Sequence, residues 1–313
     1  MAKEKVYPII GLFFGILAVS TASILIRFAQ SEAPSLVIAS MRLLIATIIV
    51  APVVFVKYRD QALSVQRNEM KFLVLSGAFL AIHFAAWITS LEFTSIASSV
   101  VLVTTTPLWV ALFSPILLKE KNSSSIWIGL ILAILGSSLV AISNQCSLSA
   151  KFLISCDGFG LALDRTSLLG NFLALLGAWM AAGYMMSGRK VRSQVPLIIY
   201  IFYVYLFASI ILVIITLLAG YSFGGYSANI YYWMILLGII PQLFGHSIFN
   251  WALGHLPAAF VSIALIGEPV GTIILAYLFL RETPQSMEYL GGAFILAGIF
   301  FVSFLRSKKD SSL

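Results

Sequence analysis

Long apolar runs separated by short polar breaks dominate the chain. A membrane-spanning helix needs about 20 mainly apolar residues. Ten runs meet that measure, at residues 7–28, 35–56, 72–91, 94–118, 125–143, 168–187, 196–219, 230–253, 257–280 and 285–305. An open sheet would leave its edge unsatisfied in lipid, and a barrel would need short alternating segments, which this chain lacks. The pattern predicts an all-α integral membrane protein with ten transmembrane helices. The first run is too long for the apolar core of a secretory signal and is followed by nine more, so it reads as a retained helix. Gly11 and Gly15 within it form GxxxG, a signal for close helix contact. Ser20, Ser23 and Arg27 share one side at helical spacing and would wet one face.

The runs also repeat. TTTPLWVALFSPILLKE, from Thr104 to Glu120, corresponds to ALIGEPVGTIILAYLFLRE, from Ala264 to Glu282. Pro107 falls on Pro269 at an offset of 162 residues, and Lys119-Glu120 then falls on Arg281-Glu282. The same offset pairs Leu91 with Leu253, Ala97 with Ala259, Trp127 with Tyr289, Gly129 with Gly291 and Gly136 with Gly298. The chain therefore reads as a duplicated unit, residues 1–143 and 167–313, joined by a polar linker over 144–166. Five spans per half is an odd number, which turns the second half over and predicts two inverted-topology five-helix repeats, an architecture used for alternating access.

Charge sets the expected orientation. With the N-terminus inside, fourteen Lys and Arg residues fall on the cytoplasmic side and three (Lys151, Arg165 and Arg281) on the other. That bias follows the positive-inside rule and predicts cytoplasmic N- and C-termini, with the linker outside the cytoplasm. Composition agrees with a membrane protein: 60% hydrophobic, 10% charged, mean hydropathy +1.02. The formal net charge of +7 is accounted for by these loops, and no nucleic-acid motif accompanies it.

Several polar groups interrupt the apolar runs. Glu268 lies near the middle of the ninth run and is followed by Pro269. An ionised acid at that depth costs about 2.5–3.5 kcal/mol on insertion scales, so it is a candidate for substrate binding or proton coupling; a neutral, hydrogen-bonded structural acid is the alternative. Pro269 and its counterpart Pro107 each remove a backbone donor and would break their helices. Gln242, His246 and Asn250 recur every four residues, giving one polar stripe that lines either a cavity or a helix seam. Arg42 lies inside the second run, where it would attract an anion or pair with carbonyls or an acid. Cys146 and Cys156, the two cysteines, both fall in the linker. They either close a small disulfide loop in an oxidising compartment or remain free. No metal-ligand spacing, P-loop, Rossmann glycine pattern or nucleophile–base motif occurs, which leaves no catalytic residues, metal or cofactor to propose and no ATP-driven pumping by this chain alone.

The two halves resemble the paired EamA domains of the drug/metabolite transporter superfamily. The first half carries ASMRLLIA, HFAAWITSLEFTSIASSVVLVTTTPLWVALFSPILLKEK and a Gly-spaced fifth span. The second carries GNFLALLGAWMAAGYMMSGRK, GIIPQLFGHSIFNWALGHLPAAFVSIALIGEPV and a Gly-rich last span. The resemblance implies a ten-helix bundle whose central cavity is lined by helices one, three, four, six, eight and nine, and movement of small organic solutes, amino acids among them. It places His83 and Trp87 at that cavity, with Trp179 and Tyr184 on the sixth helix as further candidates. The expected protein is a secondary transporter of amino acid-like solutes in a bacterial inner membrane, with efflux as the leading direction. Its expected partners are the bilayer and a small-molecule substrate, without nucleic acid, as monomer or homodimer. A membrane-embedded enzyme, a lipid flippase-like protein and a facilitative channel stand as alternatives.

Overall fold

A computed structural model of the chain describes residues 2–93, 99, 102–141, 146–148, 154–156, 165–275, 277–278 and 286–310. The first apolar run forms α1 (Ala2–Ser20) and α2 (Ala22–Ala29), which Thr21 separates within one continuous span. Next come α3 (Ser35–Lys57), the short α4 (Arg59–Leu63), α5 (Arg67–Phe93), α6 (Thr106–Leu117) and α7 (Ser124–Ala141). The strands β1 (Cys146–Leu148) and β2 (Ile154–Cys156) follow. The second half contains α8 (Arg165–Val191), α9 (Leu197–Leu218) and α10 (Ala228–Leu237), then a π-helical segment, Gly238–His246, leading into α11 (Ser247–Leu253). It ends with α12 (Ala258–Leu265), α13 (Glu268–Leu275) and α14 (Ser286–Asp310). Among the described residues, six spans are long and apolar enough to cross a membrane and four shorter helices are apolar. The protein is a multi-pass, helical membrane protein.

Three features depart from a simple reading of the runs. The eighth span is not a uniform α-helix, because Pro241 lies inside it and the ladder widens to a π-helix over nine residues. The ninth is divided at Ile266–Gly267, where the backbone closes tighter turns, Ile266 N–H to Ile263 O and Gly267 N–H to Ala264 O. The linker is not wholly loop, since β1 and β2 pair antiparallel with Cys146 opposite Cys156. Ser20, Ser23 and Arg27 do not form one wet face: Ser20 is buried, whereas Ser23 and Arg27 are exposed. Ala97, Lys151, Arg281 and Glu282 lie outside the described residues.

The halves meet through reciprocal contacts at glycines, where the missing Cβ lets backbones close. A Cβ on Gly136 would stand 2.5 Å from Gly291 O, and one on Gly298 would stand 2.7 Å from Gly129 O. Gly15 faces Phe249 as Gly177 faces Trp87, each at 3.2 Å. Gly77 approaches Phe207 Cβ and Val204 O, while Gly238 approaches Ile45 Cβ and Arg42 O. Most of these partners are related by the offset of 162, but Gly77 and Gly238 are related by 161. Leu91 and Leu253 restore 162, so the second half holds one extra residue between Gly238 and Leu253. The π-helical segment starts at Gly238 and absorbs that residue.

Burial is inverted relative to a water-soluble domain. Large apolar side chains such as Phe13, Phe55, Val56 and Leu218 are exposed around the bundle, where lipid chains replace water as solvent. Polar residues sit inside and bond across helices: Ser40 Oγ with Thr216 Oγ1 at 2.7 Å, and Ser76 Oγ with Tyr200 OH at 2.7 Å.

Two outcomes test this arrangement. Gly298→Val overpacks the seam between α7 and α14 and is expected to cost about 1–3 kcal/mol, read as a lower melting temperature in detergent. Directly opposed residues of an antiparallel pair have Cα atoms about 4.5–5.5 Å apart, within disulfide reach. Cys146 and Cys156 are therefore expected to resist maleimide in oxidised membranes and to label after reduction; labelling without reduction would leave them as free thiols.

Candidate functional site

The polar residues of the interior converge between the two halves. Their cavity encloses about 100 Å³ and is lined by Val19 and Ala22 from the first span, Arg42 from α3, and His83, Phe84 and Trp87 from α5. Thr106 and Pro107 of α6, Tyr184 of α8, His246, Asn250 and Leu253 of the eighth span, and Glu268 at the start of α13 complete most of the wall. Most of the lining is apolar or aromatic, with a few polar groups converging, the usual composition of a small-molecule site. Its volume is below the roughly 300–1,000 Å³ common for ligand pockets, so a metabolite would require the surrounding helices to part.

Breaks in two helices shape the wall. Pro107 cannot donate to Val103 O, and Thr106 Oγ1 takes over that carbonyl at 2.8 Å. Thr105 Oγ1 similarly bonds Leu102 O at 2.6 Å. In the second half Pro269 leaves no N–H for Leu265 O, and the chain turns through Ile266 and Gly267 before Glu268 begins a new helix. Ser20 holds this break from the first span: its hydroxyl bonds Glu268 O at 3.0 Å, while Thr272 Oγ1 bonds Ser20 O at 3.0 Å. A Cβ on Gly271 would lie 2.1 Å from Ser20 Oγ, so only glycine admits this contact.

Arg42 is among the largest fully buried side chains of the described residues, at 1% exposure. Its Nε donates to Gln242 Oε1 at 2.8 Å, and its guanidinium lies 4.2 Å from the centre of the Phe84 ring, a cation–π contact. Phe84 meets His246 edge-on at 5.3 Å. His83 stacks on Trp87 at 5.9 Å, and its Nδ1 donates to Gly177 O at 2.9 Å, which makes Nε2 the acceptor in the neutral ring. Tyr184 OH donates to Asn250 Oδ1 at 2.6 Å.

Six of the residues singled out in the sequence thus line one cavity: Glu268, His83, Trp87, His246, Asn250 and Tyr184. Two do not. Trp179 is 36% exposed and packs edge-on against Trp109 at 5.5 Å on an outer surface. Gln242 is fully buried away from the cavity. The π-helical turn breaks the four-residue spacing, so Gln242 turns to Arg42 while His246 and Asn250 reach the wall. Arg42 is the lining residue that the sequence left among several roles. The signal for it is a guanidinium deep in an apolar run, but its hydrogen-bond partner lies 200 residues away and follows no local pattern.

Three residues that line the cavity each hold a fully buried side-chain donor with no hydrogen-bond partner: Arg42 Nη1, Trp87 Nε1 and Asn250 Nδ2. Leaving a buried donor unmatched costs about 1–3 kcal/mol, more when it is charged. Among the described residues no group of His, Cys, Asp or Glu could hold a metal ion.

A model of the EamA-like transporter family matches residues 6–142 and again 168–304. Over 303 residues the chain is 22% identical to the pseudopaline exporter CntI of Pseudomonas aeruginosa, covering 96% of this chain and 97% of that protein. It is 20% identical to the uncharacterized transporter YetK of Bacillus subtilis, covering 99% and 91%. It is 26% identical to the uncharacterized transporter sll1164 of Synechocystis, covering 71% of this chain and 62% of that protein. A solved crystal structure superposes with a TM-score of 0.75 at 16% identity, over 97% of this chain and 98% of the other, a likeness of fold. With two matched segments that together take in most of its length, the chain belongs to the EamA-like transporter family.

Proposed function

We propose that the protein is a secondary active transporter that carries small, amino acid-like metabolites by alternating access, in the direction of export. The observation that carries this reading is Glu268, a carboxylate at a helix break on the wall of a largely apolar cavity between two repeated halves. An intramembrane acid is retained at a cost, and pathways and proton relays are where such acids occur. The reciprocal glycine contacts support an inverted repeat, in which one half moves against the other around a central site. Similarity to a protein named as an exporter supports the direction. By the positive charge of the loops, both termini face the cytoplasm of a bacterial cell with this protein in its inner membrane.

A charged latch supports a closed end. Arg189 Nε bonds Glu120 Oε1, and its Nη1 donates to Leu253 O at 2.8 Å. The other oxygen of Glu120 accepts from Ala258 N–H at 3.1 Å, at the start of α12. Nearby, Arg192 Nε donates to Asn250 O at 2.8 Å. These bonds join the ends of the fourth, sixth, eighth and ninth spans immediately beyond Leu253, which itself lines the cavity. On the proposed orientation this is the cytoplasmic end, and opening it to cargo breaks the latch.

Two measurements test the reading. In proteoliposome counterflow with a panel of amino acids at two pH values, the wild type is expected to show saturable, pH-dependent exchange. Glu268→Gln should insert normally and lose at least tenfold in pH-dependent flux; unchanged flux and pH profile would remove Glu268 from the mechanism. Glu120→Gln should loosen the latch, so that Leu253→Cys, in a background without Cys146 and Cys156, reacts several-fold faster with maleimide from the cytoplasmic side. Equal labelling rates would show that the latch does not gate access.

A further inference from the structure

We infer that Arg42 and Asn250 form a carboxylate receptor on the cavity wall, so that the protein selects cargo bearing a carboxylate and rejects simple amines of the same shape. This deepens the amino acid-like reading above and rests on it for the cargo's second charge, the amine that Glu268 would meet.

The inference stands on which atoms are occupied. Arg42 is held at two points, Nε on Gln242 and the guanidinium face over Phe84, which leaves Nη1 as a buried donor with no acceptor. Asn250 is held at one, with Oδ1 taken by the Tyr184 hydroxyl, and Nδ2 likewise has no acceptor. Both residues line the same small cavity, at 1% and 0% exposure, so cargo meets their donors only as the surrounding helices part. Arg42 has no acceptor and Asn250 has its only side-chain acceptor taken by Tyr184, while each keeps a donor unmatched. A carboxylate offers two oxygens and no donor, and it matches a guanidinium in charge and planar shape. An ammonium group offers only donors and meets none of these atoms favourably. Trp87, which lines the same cavity, holds a third buried donor without an acceptor.

The extra residue of the second half serves this arrangement. It lies in the segment that carries Gln242, and Gln242 is what orients the guanidinium by accepting from Nε. The residue equivalent to Arg42 in the second half is Val204, so the receptor exists once rather than twice.

The probes are a zwitterionic amino acid, its decarboxylated amine, its deaminated acid and benzoate, titrated against purified full-length protein by tryptophan fluorescence and by counterflow. The wild type should bind the amino acid and both plain carboxylates and should bind the amine at least tenfold more weakly. Asn250→Asp keeps the acceptor for Tyr184 and replaces the free donor with a second oxygen. It should weaken carboxylate binding at least tenfold and leave or improve amine binding. Arg42→Gln should show the same split, and Arg42→Lys should recover part of it. Carboxylate binding that depends on Arg42 and Asn250, without amino acid exchange, would uphold the receptor and overturn the proposed cargo. Absence of any carboxylate binding by folded wild type, or equal loss for amine and acid in Asn250→Asp, would overturn the receptor itself.

Discussion

A guanidinium buried inside a lipid-surrounded bundle is the constraint on which the interior depends. Arg42 cannot be left bare there, since an uncompensated charge in a low-dielectric setting costs several kcal/mol. Two neighbouring helices answer it separately: α5 supplies the face of Phe84 and the eighth span supplies Gln242. Each answer fixes a helix relative to α3. The cavity is the space left where these helices converge without fully covering one another.

Around that centre the two halves are built on one plan. The contacts that hold them use glycine because a seam between helices in lipid gains little from apolar burial and depends on close backbone approach. Gly136 and Gly298 pass so near the carbonyls of Gly291 and Gly129 that a methyl group would collide with backbone. Pro107 and Pro269 break equivalent helices, yet their surroundings differ. Thr106 repairs the first break with its own hydroxyl, whereas Glu268 occupies the same place in the second and Ser20 comes from another helix to hold it.

Much of this was legible in the sequence. Hydropathy located the helices because backbone groups in lipid must be paired within each segment, so a span is marked by its own composition. The offset of 162 was visible through Pro107 and Pro269 because proline's effect is local. His83, Trp87, Tyr184, His246, Asn250 and Glu268 were found as polar or aromatic interruptions of apolar runs, and the cavity gathers all six. What could not be read depends on distant partners. Trp179 has the same local signature as Tyr184, and only the position of Trp109 separates an outer surface from a cavity wall. For Gln242 the sequence left cavity and helix seam open, because regular spacing assumes a regular helix and the π-helical segment is not one. That Cys146 and Cys156, candidates for a bond, stand opposite each other on paired strands depends on a register that no composition reveals.

The one-residue surplus at Gly238–His246 has a consequence for the energy of the proposed cycle. Two identical halves that exchange shapes would give end states that mirror each other and are equal in energy. Here the halves are unlike, in the wide turn as in Arg42 against Val204 and Thr106 against Glu268, so no symmetry holds the two end states equal. A cycle built on such unlike halves would favour one face even without cargo or gradient.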